Sequence, residues 1–257
     1  MMSIFNPKIK ISSFRVNNFN VNVVRDDYLV GGTKQRAMFE YLNLFIEDEY
    51  VYATPSKGYA QIALAYTCMI MKKKATIFVS KQSDGMISYL SLLAQNYGAK
   101  LIITTHVVPI KNLQKKAYDY CMRNKSRKYI SFGCNTDSFK YFLQKNIISA
   151  LPKTFIYPKR IWCVAGSGTL LDVFSKIWPM SEFHVVQVGK TIWPDQRGIN
   201  DDGTFNYYSE LYIAPERFNE NAEILPPYKS VLNYDAKIWR FVLLYGKEGD
   251  LIWNVAG

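Results

Sequence analysis

Histidine is nearly missing from this 257-residue chain, which has only His106 and His184, and no Cys-x-x-Cys pair joins any of Cys68, Cys121, Cys134 and Cys163. That leaves too few ligands at metal-binding spacing for a zinc site to be expected. Without a secretory leader, four scattered cysteines read as buried thiols. No apolar run is long enough to cross a bilayer, and Met1-Met2-Ser3-Ile4-Phe5-Asn6 lacks the charged-then-apolar order of a signal peptide. The expectation is a soluble, cytoplasmic protein with no membrane partner. Acidic residues are also few: 21 Asp and Glu stand against 32 Lys and Arg, leaving a net charge of +11. Such an excess favours anionic partners, either nucleic acid or a phosphate-bearing ligand. It gathers at Lys72-Lys73-Lys74, Lys115-Lys116 and Arg123 through Lys128. The first two groups fall near predicted helix ends, where cations are favourable anyway, so a solvated face and a nucleic-acid surface both remain open.

There is no internal repeat and no low-complexity segment. At 49% hydrophobic, the chain can bury the core of one large or two modest domains. From Glu49 to Val188, β-rich runs alternate with helical ones. Strands are predicted at Val21–Val24, Tyr50–Ala53, Ala75–Val79, Leu101–Thr104, Tyr129–Phe132, Ile161–Val164 and Phe183–Val188. Helices are predicted at Tyr59–Met71, Ser83–Tyr97, Lys111–Arg123, Thr136–Ser149 and Thr169–Ile177, with Asp84 opening the second and Gly98 closing it. Beyond Trp193 the pattern weakens to a turn at Asp201-Asp202-Gly203, a strand over Phe205–Ile213, a helix over Asp235–Leu244 and a last strand over Leu251–Val255. This alternation implies an α/β fold built on parallel sheet, with ligands at the carboxyl ends of strands.

Three loops carry candidate chemistry. Gly31-Gly32-Thr33-Lys34-Gln35-Arg36 delivers one lysine to the start of a helix whose apolar stripe is Ala37, Met38, Tyr41, Leu42 and Phe45. A lysine held desolvated there becomes a nucleophile toward a carbonyl; the same residues also suit a solvated lysine on a plain glycine turn. Gly166-Ser167-Gly168-Thr169-Leu170 follows an apolar strand and opens a helix, so backbone amides, two hydroxyls and a helix dipole converge where a phosphate would sit. An ordinary strand-to-helix turn is the alternative, since neither Gly-Lys-Ser/Thr nor Gly-x-Gly-x-x-Gly is present. Thr54-Pro55-Ser56-Lys57-Gly58-Tyr59-Ala60-Gln61 likewise joins a strand to a helix, with Ser56 able to cap the helix and exposed amides able to take a carboxylate.

The lysine turn, the serine-to-glutamine loop and the late Gly-Ser-Gly-Thr loop together resemble the pyridoxal-phosphate enzymes of the tryptophan-synthase β-subunit fold. The resemblance is strongest to the group containing aminocyclopropane-carboxylate deaminase and D-cysteine desulfhydrase, whose lysine follows an Arg-x-Asp…Gly-Gly-Asn-Lys-x-Arg pattern. Arg25-Asp26-Asp27…Gly31-Gly32-Thr33-Lys34-Gln35-Arg36 is similar to it. The resemblance implies two open, mostly parallel twisted sheets with helices on both faces. Residues 1–48 and 150–257 would form a larger cofactor-binding domain and residues 49–149 a smaller one, the chain returning to the larger near Ser131-Phe132-Gly133. It further implies pyridoxal 5'-phosphate as cofactor and Lys34 as both its Schiff-base residue and the catalytic acid or base. Gly166, Ser167, Gly168, Thr169 and Leu170 would hold the phosphate and Asn254 the pyridine nitrogen. Ser56, Lys57, Gly58, Tyr59 and Gln61 would bind the substrate, and the protein would be a homodimer.

Two departures bear on the reaction. The group's carboxylate loop reads Ser-Gly-Asn-His-Ala-Gln, whereas this chain has Gly58 and Tyr59 in place of Asn and His. Its terminal strand ends His-Thr-Gly-Gly, whereas this chain ends Asn254-Val255-Ala256-Gly257. The expected activity is a lyase- or deaminase-type elimination or replacement on an amino acid. One alternative is tailoring of an amino-acid adduct on nucleic acid, as in viral DNA base hypermodification, with Lys and Arg on the phosphates and Tyr59 or Tyr228 stacking on a base. Another is a relative that keeps the fold without the chemistry.

Overall fold

A computed structural model describes residues 2–82, 84–189 and 209–257. The chain divides into two compact units, one formed by Met1–Phe5 and Val30–Phe142, the other by Asn6–Leu29 and Leu143–Gly257. The expected boundaries differ from these. Residues 30–48 join the unit of the four-stranded sheet, because α2 (Gln35–Leu42) packs on both α1 (Met2–Phe5) and α3 (Ala60–Met71). Residues 143–149, in the second half of α6 (Asp137–Ala150), go with the other unit, where the Ile9 amide donates to the Ala150 carbonyl at 2.9 Å.

In the first unit, β3 (Glu49–Thr54), β4 (Lys74–Val79), β5 (Lys100–Ile103) and β6 (Arg127–Ile130) form a wholly parallel sheet in the order β5-β4-β3-β6. The apolar sequence of α3, Ala-Gln-Ile-Ala-Leu-Ala-Tyr-Thr-Cys-Met-Ile-Met, suits a helix packed among other elements. It stops at Lys72, which is left-handed at φ 56°, with Lys73 pairing Asp48 at 2.6 Å. That basic cluster is a helix stop and an ion pair. Across the sheet, α5 (Ile110–Met122) lays Leu113, Ala117 and Cys121 on Val51, Ala53 and Phe78. α4 (Tyr89–Asn96) starts later than expected. Ser88 caps it by accepting the Ser91 amide, whereas Asp84 accepts the Met86 amide in the preceding turn. Gly98 does close it, at φ 85°. Ser83 lies outside the described residues.

In the second unit, β1 (Ile11–Val16), β2 (Phe19–Arg25), β7 (Arg160–Ala165), β8 (Glu182–Gln187), β9 (Ser209–Ile213) and β10 (Leu251–Asn254) form one sheet in the order β1-β2-β10-β7-β8-β9. All pairs are parallel except β1 with β2. Sequence patterning gave no sign of β1, whose residues are mostly half-exposed along its length. α7 (Thr169–Ile177) puts Phe174 on Trp253 with ring centroids 4.7 Å apart. The helix expected over Asp235–Leu244 begins as a 3-10 turn at Asp235–Ile238 before α8 (Trp239–Tyr245). Trp193, Asp201-Asp202-Gly203 and residues 205–208 lie outside the described residues. No described helix is long and apolar enough to cross a membrane.

Strand order decides where ligands go. In the first unit the winding reverses between β3 and β6, and in the second between β7 and β10. The crevice at such a reversal, at the carboxyl ends of the strands, is where an open parallel sheet binds ligands. The loops that leave those ends are Pro55–Tyr59 and Ser131–Asn135 in one unit, and Gly166–Gly168 and Val255–Gly257 in the other.

The opposite edge of the larger sheet is locked by a buried polar network. Arg160 donates from Nε to His184 Nε2 at 2.9 Å and from NH1 to Asp250 at 3.1 and 3.2 Å. Trp162 Nε1 donates to Asp250 at 2.6 Å. Accepting at Nε2 makes His184 neutral with its proton on Nδ1, 3.1 Å from the Tyr212 hydroxyl. Burial, then the charges of Arg160 and Lys247, push His184 down to about 4 from an ordinary 6.5. Between those values the unfolded chain binds a proton that the folded one refuses, so stability falls as pH drops from 6.5 to 4. Burial raises Asp250 above its ordinary value, which acts in the opposite sense. Thermal midpoints measured over this window are expected to fall toward acid, and His184→Gln to flatten the slope by up to one proton, about 1.4 kcal/mol per pH unit.

Candidate active site

The lysine turn is built by close approach. A Cβ at Gly31 would lie 2.6 Å from Ala63 Cα and 2.8 Å from Ala63 Cβ, so only glycine lets the turn pack directly on α3. Gln35 fastens it, accepting the Gly31 amide at 2.8 Å and donating to the Ile4 carbonyl at 3.0 Å. Gly32 supplies the positive φ of 62°. Lys34 follows as the N-cap of α2 and is half-buried. Its charge reaches Cys134, opposing the burial that pushes that thiol up to about 11. Lys34 and the loop after β6 therefore belong to one unit, close enough for the charge of one to act on the thiol of the other. Cys134 itself is left-handed at φ 57°, an uncommon backbone state for a residue with a side chain.

The loop after β3 is held from within. Gln61, fully buried, donates through Nε2 to the carbonyls of Ser56 at 3.0 Å and Gly58 at 2.7 Å. The Ser56 carbonyl also accepts from Ser88 Oγ and from Ser91 Oγ at 3.2 Å, and Ser91 Oγ reaches Gln61 Oε1 at 3.0 Å. The Gly58 amide turns back to the Pro55 carbonyl at 2.8 Å. Ser56 does not cap the helix; the N-cap is Tyr59. Gln61 therefore shapes the loop, while Lys57, Gly58 and Tyr59 form its half-exposed rim. The Gly58 departure has a steric cause: a Cβ there would collide with Thr54 Oγ1.

In the second unit, Gly168 takes φ 78° as the N-cap of α7, and Ser167 Oγ and Thr169 Oγ1 lie 3.1 Å apart. The ring of Tyr234 covers Gly166, where a Cβ would sit 3.1 Å from both Cε2 and the hydroxyl. Burial and the nearby charge of Asp235 raise Tyr234 well above the ordinary phenol value, against the opposing pull of the Gly166 amide. The same two causes raise Tyr228, and push Cys163 up to about 12. One buried carboxylate thus bears on three groups beside the glycine turn. Asn254, at the end of β10, donates from Nδ2 to Asp27 Oδ1 at 2.9 Å and to the Lys229 carbonyl at 2.8 Å. Arg25 clamps Asp27 through two bonds, at 2.8 and 2.7 Å. With both amide hydrogens committed, Asn254 has an acceptor, Oδ1, still to offer.

Among the described residues, Asn254 Oδ1, Tyr228 Oη and Ser230 Oγ are buried polar atoms with no hydrogen-bond partner. Buried polar atoms left unmade cost about 1–3 kcal/mol each. A buried acceptor, two buried hydroxyls and the Asp235 carboxylate lie in the unit that carries the Gly166–Leu170 turn, and they match a ring that carries a protonated nitrogen and a phosphate. On this donor and acceptor set, pyridoxal phosphate fits. Reading the sequence singled out neither Tyr234 and Asp235 nor Ser88, Ser91, Thr54 and Cys134. Their roles come from contacts distant in sequence; Ser88 falls inside the helix predicted over Ser83–Tyr97, and only the position of Asn233-Tyr234-Asp235 at the start of a predicted helix was a visible signal.

No family model and no curated protein sequence matches this chain. Solved structures do. An ACC deaminase homologue superposes with a TM-score of 0.81 at 13% identity, over 98% of this chain and 90% of that one. Threonine deaminase isoform 2 from Solanum lycopersicum gives 0.69 at 11%, over 98% and 85%. A hydrogen sulfide-producing enzyme from Fusobacterium nucleatum gives 0.66 at 14%, over 100% and 97%. The chain has the tryptophan-synthase β-like fold to which its motifs pointed.

The steric account of Gly58 is tested by substitution. Gly58→Ala is expected to cost about 2–3 kcal/mol in denaturant unfolding, as overpacking does. A Thr54→Ala change that removes the obstructing hydroxyl should recover part of that loss, which a double-mutant cycle reads directly.

Proposed function

We propose that this protein is a pyridoxal-phosphate-dependent enzyme acting at the amino group and the α- and β-carbons of an amino acid, by elimination or replacement. The observation that carries the reading is the coincidence of motif and topology. The Ser56–Gln61 loop and the Gly166–Leu170 turn each leave the carboxyl edge of a parallel sheet at its reversal point, and Lys34 sits on the helix packed against the first. When bound, the cofactor supplies an aldehyde that captures an amine and an electron-poor ring that weakens the bonds at the α-carbon. Lys34 would hold the aldehyde and, when not so engaged, take or return a proton at a substrate carbon. Gly166, Ser167, Gly168, Thr169 and Leu170 would bind the phosphate through amides and hydroxyls, with the Tyr234 hydroxyl against Gly166 as a further donor. Asn254 Oδ1 would accept from the ring nitrogen. Ser56, Lys57 and Tyr59 would take the substrate carboxylate on the loop that Gln61 and Ser88 shape.

A second reading, in which the amino acid is carried on nucleic acid, is favoured by the +11 charge together with Lys57 on that rim. It requires binding to DNA that weakens steeply with salt.

Incubation with pyridoxal phosphate followed by borohydride reduction and peptide mapping is expected to find the adduct on Lys34. Lys34→Ala should lose the adduct, the visible absorbance and turnover while keeping its circular dichroism. Wild-type protein that yields no adduct at Lys34 would remove the basis of the proposal.

A further inference from the structure

The second unit also contains a cavity of about 760 Å3 that the proposed chemistry does not use. It lies at the amino-terminal ends of β7 and β10, at the sheet edge opposite the Gly166–Leu170 turn, so it is a separate place in the fold. Its size falls within the range of about 300–1,000 Å3 typical of small-molecule sites.

Both walls are built in advance. On one, the Phe155 amide donates to the Pro152 carbonyl at 3.0 Å, the Glu182 amide to the Lys159 carbonyl at 2.8 Å, and the Tyr157 hydroxyl accepts the Met180 amide at 3.0 Å. On the other, the Gly249 amide donates to the Asn20 carbonyl and the Asn22 amide to the Asp250 carbonyl, both at 2.8 Å. The charged floor is already satisfied, because Arg160 is spent on His184, Asp250 and the Tyr245 carbonyl. The exposed charges at the wall are two cations, Lys159 and Lys247, against one carboxylate, Glu248, which accepts the Asn20 amide at 2.8 Å. Beside these cations stand Ile156, 86% exposed, and Tyr157, 48% exposed. A nearly bare isoleucine and a fixed tyrosine at the rim of a preformed cavity form an apolar platform that nothing in the described chain covers.

We propose that this cavity binds a small amphipathic anion: a flat aromatic or heteroaromatic body laid on Ile156 and Tyr157, with a phosphate or carboxylate met by Lys159 and Lys247. The proposal stands independently of the reading at Lys34, since no residue is shared.

The test uses full-length protein as purified, with anilinonaphthalene sulfonate as fluorescent probe and AMP and adenosine as competitors. AMP is expected to displace the probe at least about fivefold more tightly than adenosine, in line with two exposed charges of modest individual effect. The Lys159→Ala/Lys247→Ala variant should lose that advantage and keep its adenosine affinity, while Ile156→Ser weakens both. Probe or AMP binding that is absent, AMP and adenosine of equal affinity, or affinities unchanged in the variants would each overturn it. Because the variants lie in the cavity wall, the result discriminates even if no adduct forms at Lys34.

Discussion

Parallel strands present all their carboxyl ends on one edge, and a reversal of strand order parts the loops there instead of packing them together. Every candidate site loop of this chain depends on that constraint. In the first unit the reversal falls between β3 and β6, in the second between β7 and β10. The Ser56–Gln61 loop and the Gly166–Leu170 turn are the segments that leave those points. The Lys34 turn belongs with the first because Gly31 approaches α3 more closely than any side chain would allow. Each loop is positioned by backbone pairing many residues away, which is why a short glycine-rich stretch can be held in one conformation.

One departure from the resembled motif has a local physical cause. Gly58 stands where relatives of the motif have asparagine, and the Thr54 hydroxyl occupies the space that a Cβ would need. The loop keeps its shape through Gln61, Ser88 and Ser91, whose side chains bond its carbonyls from below. The glutamine that motif comparison places on the substrate is thereby turned toward the backbone. What remains on the rim is a lysine and a tyrosine, a more cationic and more aromatic surface than the Ser-Gly-Asn-His pattern provides.

Electrostatics in the second unit run in two directions from one sheet. At the carboxyl edge, burial and then the charge of Asp235 keep Tyr228 and Tyr234 protonated, and the Arg25–Asp27 pair fixes Asn254 as an acceptor. At the amino edge, Arg160 pairs with Asp250 and donates to the neutral His184, and these bonds lock the sheet at its base. A buried network of that kind is sound only while every member stays bonded, and His184, lowered, and Asp250, raised, respond to acid in opposite senses.

By itself the sequence determined the α/β alternation, nine of the ten strands among the described residues, the glycine–lysine turn and the Gly-Ser-Gly-Thr turn. Those features are local: hydrophobic period, glycine spacing and the residues that open or close helices. The edge strand β1 escaped because, half-exposed along most of its length, it carries no clear alternation. Tertiary structure alone decided that β10 inserts between β2 and β7, bringing Asn254 to Asp27, 227 residues apart. It likewise decided that Tyr234 covers Gly166, that Gln61 faces its own loop, and that residues 30–48 pack with the four-stranded sheet. Such pairings join distant segments whose own residues satisfy several local patterns equally well, so only the closing of the sheet selects among them.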